Sequence, residues 1–97
     1  MNAEKELQER LKPYGGLDGL PEKPEKITEL SKSLSLEAHT LLLSKLKSAR
    51  EFYKRMLLEE RRKKNPNSFR YEDAEIHIRK YNVQGKTLNE LLEAKKV

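Results

Sequence analysis

The feature that most restricts the fold is a long amphipathic stretch from Ser35 to Lys64, which is followed by Asn65-Pro66-Asn67. Ser35 suits a helix N-cap, because its hydroxyl can accept a hydrogen bond from a first-turn N–H group. Pro66 disfavours helical geometry at the residue before it. Apolar residues recur at alternating steps of four and three, which is helical, coiled-coil-like spacing: Leu42, Leu46, Ala49, Tyr53 and Met56. The sequence therefore predicts one α-helix over residues 35–64.

The length of this helix constrains what it does. A compact globule of 97 residues has a radius of gyration of about 12–13 Å, and therefore a diameter of about 32 Å. A helix of roughly 29 residues spans about 44 Å. Such a helix must protrude, pair with another chain or lie along a partner, so we expect self-association or a protein partner. Aromatic residues dominate contacts of this kind, and the expected interface residues are Leu42, Leu46, Ala49, Phe52, Tyr53 and Met56.

The remaining segments predict shorter helices, so the expected class is all-α. Residues 1–24 indicate a short helix over Ala3–Leu11 followed by a flexible Pro/Gly linker. Residues 25–97 indicate a helical domain, with a short helix over 25–34, the long helix over 35–64 and two further helices over 68–84 and 87–97. The alternation in Ile76-His77-Ile78 leaves a strand open as the alternative there.

The last two predicted helices carry a possible nucleic-acid motif. Asn82 stands at a turn, Val83 is placed to plug the angle between two helices, and Thr87 can cap the second helix ahead of Leu88 and Leu91. This pattern resembles the DNA-binding helix-turn-helix. The resemblance implies that the second helix reads the groove, with base or phosphate contacts from Gln84, Lys86 and Asn89.

The chain departs from that family where a small residue is usual, because Ile78 is bulky. Glu90 and Glu93 also bring negative charge toward phosphates, which is unfavourable. A plain helical hairpin, in which the same apolar residues only pack, is the alternative interpretation.

Positive charge is concentrated on the long helix. The net charge is +5, and residues 35–64 carry nine Lys or Arg against four Asp or Glu. The densest run is Arg61-Arg62-Lys63-Lys64, which is suited to phosphate contacts or to recognition by nuclear import. It equally suits the negative C-terminal end of a helix, with no partner at all.

Catalytic and metal chemistry are not indicated. There is no cysteine, and His39 and His77 stand far apart without clustered ligands, so both histidines are expected at the surface or its boundary and no metal or cofactor is expected. No apolar run approaches the ~18–20 residues of a membrane span. We therefore expect a cytoplasmic protein, or a nuclear one in a eukaryote.

The expected function is that of a small non-enzymatic regulator or adaptor that binds a protein partner through its long helix and self-associates. The alternative is a DNA-binding transcriptional regulator that uses the C-terminal motif. No small-molecule substrate is expected in either case.

Overall fold

The computed structural model describes residues 2–97 and contains α-helices, short 3-10 turns and no strand within that range. The all-α prediction and the long central helix are therefore confirmed. The helices are α1 (Ala3–Leu11), α2 (Pro24–Ser33), α3 (Leu36–Arg62) and α4 (Ser68–Lys96). Two 3-10 turns, Lys12–Tyr14 and Leu17–Gly19, lie between α1 and α2.

The two long helices form an antiparallel hairpin. The 27 residues of α3 run back along the 29 residues of α4, so that early residues of α3 meet late residues of α4. The molecule is accordingly elongated, with extents of 49 × 24 × 19 Å and a radius of gyration of 14.9 Å. The long helix α3 is therefore covered by α4 of the same chain. The expectation of an external partner assumed a spherical molecule, whereas this molecule is elongated.

The prediction of a C-terminal helix-turn-helix is wrong, because α4 continues without a break through Val83, Gly85 and Thr87. A mid-helix glycine costs only about 1 kcal/mol relative to alanine, and burial of one continuous face outweighs that cost. The buried residues of α4 keep helical spacing across the expected turn: Ala74, Tyr81, Gln84, Leu88 and Leu92. The strand alternative at residues 76–78 also fails, since these residues are helical.

Helices α1 and α2 and the turns between them form a second layer, called here the N-terminal layer (residues 3–33). It covers the half of the hairpin that contains the start of α3 and the end of α4, with α1 packed on α3 and α2 on α4. The core lies between these layers and consists of Leu7, Leu11, Leu20, Ile27, Leu30, Leu34, Ala38, Leu42, Leu46, Tyr81 and Leu88.

The segment predicted to be a flexible linker is instead fixed to α4. Leu20 is buried in the core, and its carbonyl accepts a hydrogen bond of 2.8 Å from the amide of Gln84. Asp18 accepts from the Tyr81 hydroxyl through its carboxylate and from Lys80 through its carbonyl. Gly19 is required where it stands, because a Cβ atom there would overlap the Tyr14 carbonyl oxygen at 1.6 Å.

The hairpin turn is organised by a buried carboxylate. Glu60 is 1% exposed, and its side chain accepts from Lys63 Nζ at 2.9 Å and from the Asn67 N–H group at 3.3 Å. Arg70 Nη1 lies 3.7 Å from the same carboxylate. The Lys63 hydrogen bond comes first among the causes that lower the pKa of Glu60. Charge at this turn is therefore used to join the end of α3 to the start of α4.

Candidate binding surfaces

The residues of α3 that were predicted to form an interface differ in their burial. Leu42 and Leu46 are 0% and 2% exposed, because the N-terminal layer and α4 cover them. Their assignment to an interface with another molecule is therefore wrong. Ala49, Tyr53 and Met56 are half-buried, and Tyr53 stacks on His77 with ring centroids 4.2 Å apart. Of the six predicted residues, Phe52 alone is exposed, at 56%.

The residues predicted to contact nucleic acid do not lie together on a recognition helix. Gln84 is fully buried and bonded to the N-terminal layer, so its assignment to a DNA groove is wrong. Lys86 and Asn89 are exposed, but they lie on the continuous α4 rather than on a separate recognition helix. The basic run is exposed at the hairpin turn, as its charges require: Arg61, Arg62, Lys63 and Lys64.

The two histidines differ in their surroundings. His77 is half-buried at the hairpin surface, in agreement with the sequence prediction. His39 is 0% exposed, so its expected surface position is wrong. Its ring is bonded on both sides, to Ser31 and to the Leu88 carbonyl, which allows a polar ring in the core. Within residues 2–97 no cluster of three potential metal-ligating side chains was found.

The half of the hairpin near the turn carries three large apolar side chains that are more than half exposed. Phe52 is 56% exposed, Phe69 85% and Ile76 59%. Two shallow grooves meet there: Phe52, Met56 and Arg70 line one groove, and Phe69, Arg70 and Ile76 line the other, of about 400 Å³. Arg70 belongs to both, so the grooves adjoin. We call this region the tip surface and define it as Phe52, Met56, Phe69, Arg70 and Ile76.

The charge beside this surface is positive toward the hairpin turn and mixed along the grooves. Residues 55–70 carry six Lys or Arg against two Glu. One of these two carboxylates, Glu60, is already engaged by Lys63 and Arg70. The Arg61 guanidinium donates to the Tyr71 hydroxyl and lies 5.7 Å from the centroid of its ring, which holds that side chain against the hairpin. The grooves themselves are lined by both signs of charge, because Glu59, Glu72 and Asp73 stand beside Arg55 and Arg70. The tip surface is therefore apolar at its centre, with mixed charge along its grooves and cations at the hairpin turn.

A second feature is a groove between α3 and α4, on the hairpin half that contains the core. Its volume is about 350 Å³, which falls at the lower end of the range for small-ligand sites. Its lining combines two cations and an amide with an apolar floor, and no residue of the N-terminal layer takes part. We call it the lateral groove, and its lining residues are Leu43, Leu46, Lys47, Arg50, Tyr81, Gly85 and Asn89.

Two details of the lateral groove have no explanation in the packing of the chain itself. Gly85 stands within a long helix, yet apart from its chain neighbours and the local helix backbone no atom of the described residues lies within 4 Å of where its Cβ would be. Glycine there costs about 1 kcal/mol of helix stability relative to alanine. The Arg50 Nε atom is buried without a hydrogen-bond acceptor, although an unsatisfied buried donor costs about 1–3 kcal/mol.

No helix within residues 2–97 is both long and apolar enough to cross a membrane. Comparisons with protein-family models, with curated protein sequences and with solved structures gave no significant match.

Proposed function

We propose that this chain is a small non-enzymatic adaptor or regulator whose tip surface binds an acidic, apolar segment of a protein partner. The observation that carries the proposal is the exposure of Phe52, Phe69 and Ile76 in one region of a protein whose other large apolar side chains are mostly packed. Contiguous exposed apolar surface framed by polar residues is typical of a protein interaction site.

The aromatic residues of the tip surface are suited to anchor a partner. Phe52 contacts Tyr53 edge-on, with ring centroids 5.4 Å apart, and Tyr53 in turn stacks on His77. The Phe52 ring therefore packs against the stacked rings of Tyr53 and His77, which restricts its position. Aromatic and Arg side chains in such positions contribute most to binding free energy, so Phe52, Phe69 and Arg70 are the expected anchors.

Charge complementarity selects the occupant. The exposed cations of the hairpin turn, residues 61–64, would attract a segment that carries Asp and Glu at that end, and they would raise the rate of association at low salt. The preferred occupant is therefore an amphipathic helix that presents apolar residues at helical spacing and carboxylates beside them.

The test is a titration of ¹⁵N-labelled protein with three probes, followed by amide chemical shifts. The first probe is a helical peptide of roughly 18 residues, about five turns, with Leu at the anchor positions and Glu elsewhere. The second has Lys in place of each Glu, and the third is a DNA duplex of random sequence. We expect the Glu/Leu peptide to shift the amides of Phe52, Phe69 and Ile76 and the Lys/Leu peptide to bind much more weakly.

The remaining outcomes overturn the proposal. Equal binding of the two peptides would remove the role of charge, and shifts confined to other regions would remove the role of the tip surface. Binding of the duplex alone would assign the basic hairpin turn to nucleic acid. Self-association through the tip surface in place of peptide binding would also overturn the proposal. Light scattering of the unliganded protein would detect it.

A further inference from the structure

We propose that the lateral groove is a separate binding site for a small amphiphilic anion, that is, a carboxylate or phosphate group attached to an apolar body. The site is independent of the tip surface. The proposal rests on the coincidence, in one cleft, of two cations, an unsatisfied donor, an apolar floor and a mid-helix glycine with open space above it.

One edge of the Arg50 guanidinium is held by α4, and the other edge can reach an anion after a rotation of the side chain. Its Nη1 atom donates to the Asn82 side-chain oxygen at 3.0 Å, which holds one edge of the group against α4. The other edge is almost unused, because Nη2 lies 3.9 Å from the Glu51 carboxylate and Nε has no acceptor. These two N–H groups match the paired oxygens of a carboxylate or phosphate. Since Nε is shielded from solvent, the side chain must turn toward the groove to present both donors.

The groove also provides a second cation and a polar side chain beside this edge. Lys47 lies one helical turn before Arg50 on α3, so both line the same side of the cleft. Asn89 lies across from them on α4 and is exposed. An anionic group can therefore be held between α3 and α4 without entering the core.

The apolar part of the ligand is accommodated by the floor and by Gly85. Leu43, Leu46 and Tyr81 supply the apolar lining. A Cβ atom at position 85 would stand in open space beside this lining. Glycine at this position therefore keeps the cleft empty, which is a reason for its presence that packing does not offer.

The experiment is an NMR titration with octanoate and octyl phosphate, with octanol as the uncharged control. We expect one or both anions to shift the amides of Gly85 and Asn89, and the response to each anion distinguishes carboxylate from phosphate as the preferred group. Octanol should bind at least about tenfold more weakly than the better anion. Equal binding of octanol, or no response to either anion, overturns the proposal.

Three variants locate the site. Gly85→Leu fills the cleft while favouring the helix, and it should abolish the response. Arg50→Gln removes the charge and should weaken binding at least about tenfold. Val83→Leu is the matched control, because it places the same side chain on the same helix at an exposed position outside the groove. It should leave binding unchanged, and equal effects of Val83→Leu and Gly85→Leu would contradict the site.

Discussion

The ring of His39 donates a hydrogen bond from Nε2 to the backbone carbonyl of Leu88, across a distance of 2.7 Å. Because a carbonyl only accepts, Nε2 carries the proton, and in the neutral ring Nδ1 is free to accept from the Ser31 hydroxyl at 3.3 Å. One buried imidazole thereby joins α2, α3 and α4. Burial lowers the pKa of His39 below its ordinary value, and the nearby charge of Lys95 acts in the same direction.

The first prediction is a loss of stability in mild acid. Above the ordinary histidine pKa of 6.5, the ring is neutral in both the folded and the unfolded chain. Below it, the unfolded chain takes up a proton that the folded chain resists, so the free energy of unfolding should fall by at most about 1.4 kcal/mol per pH unit. The fall should stop once the folded-state pKa is passed. Urea unfolding at a series of pH values measures the slope.

Two variants assign this slope to its residue. His39→Gln keeps a donor for the Leu88 carbonyl and does not titrate, so it should remove the dependence of stability on pH between neutral and mildly acidic solution. His77→Gln alters the histidine at the hairpin surface and should retain it. A slope that survives in His39→Gln and disappears in His77→Gln would refute the assignment.

The second prediction concerns Gly85, where added helix propensity has no steric penalty. Gly85→Ala should stabilise the protein by about 1 kcal/mol, which raises Tm by roughly 4–8 °C in a domain of this size. Gly19→Ala is the opposite case, since its Cβ would meet the Tyr14 carbonyl, and it should lower Tm. Thermal unfolding followed by circular dichroism compares them. A lower Tm in Gly85→Ala would mean that contacts close over this position in solution.

The third prediction separates the two parts of the apolar seam of α3. Leu42→Ala should destabilise the fold by about 2–5 kcal/mol, because it opens a cavity in the core. Phe52→Ala should change stability by less than about 0.5 kcal/mol, as expected for an exposed position. Chemical unfolding of both variants provides the comparison. Similar losses in the two variants would indicate that Phe52 is covered in solution.

The fourth prediction concerns the join between α1 and the start of α3. The Ser35 N–H group and hydroxyl both donate to the Glu6 carboxylate, at 2.7 and 2.8 Å, and the backbone hydrogen bond is the first cause that lowers the pKa of Glu6. This stabilisation is complete above the ordinary pKa of 4.5 and disappears as the pH falls through the folded-state value. Glu6→Gln should therefore lower the urea midpoint at neutral pH, and the difference from wild type should shrink in acid.

Glu9→Gln is the matched control for this join. Within residues 2–97, Glu9 forms one ion pair, with exposed Lys12 at 3.0 Å, and such surface pairs contribute little. Its substitution should leave the urea midpoint near that of wild type throughout. A difference between Glu6→Gln and wild type that stays constant down to strongly acidic pH would show that the carboxylate charge is not the cause.

Local signals were sufficient to predict most of the helices. The bounds of α1 agree with the prediction, and Ser35 caps α3 through a hydrogen bond from the Ala38 N–H group, as expected. The helix break predicted near Gly85 is absent, because burial of one continuous apolar face outweighs the turn preference of a single glycine. Tyr81 and Leu88 are seven residues, or two helical turns, apart on the same buried face. The helical spacing of buried residues is therefore the same before and after Gly85.

The candidate sites were less predictable, because they depend on which surfaces the chain covers itself. The apolar seam was visible in the sequence, but the burial of Leu42 and the exposure of Phe52 follow from where the N-terminal layer ends. Periodicity places Gln84 in phase with Tyr81 and Leu88, but it does not show that a polar side chain there finds a hydrogen-bond partner in the core. Gln84 and His39 entered the core because backbone carbonyls happened to face them, and local sequence does not reveal those partners.

The most direct test of the central claim compares two single substitutions of exposed apolar residues in the titration with the Glu/Leu peptide. Phe69→Ser alters the tip surface, and Leu36→Ser alters an exposed position at the other end of α3. We predict that Phe69→Ser weakens peptide binding by at least about tenfold, or about 1.4 kcal/mol, with an unchanged Tm, and that Leu36→Ser has no effect on affinity. Equal affinity of Phe69→Ser and wild type would contradict the claim that the tip surface is the binding surface of this protein.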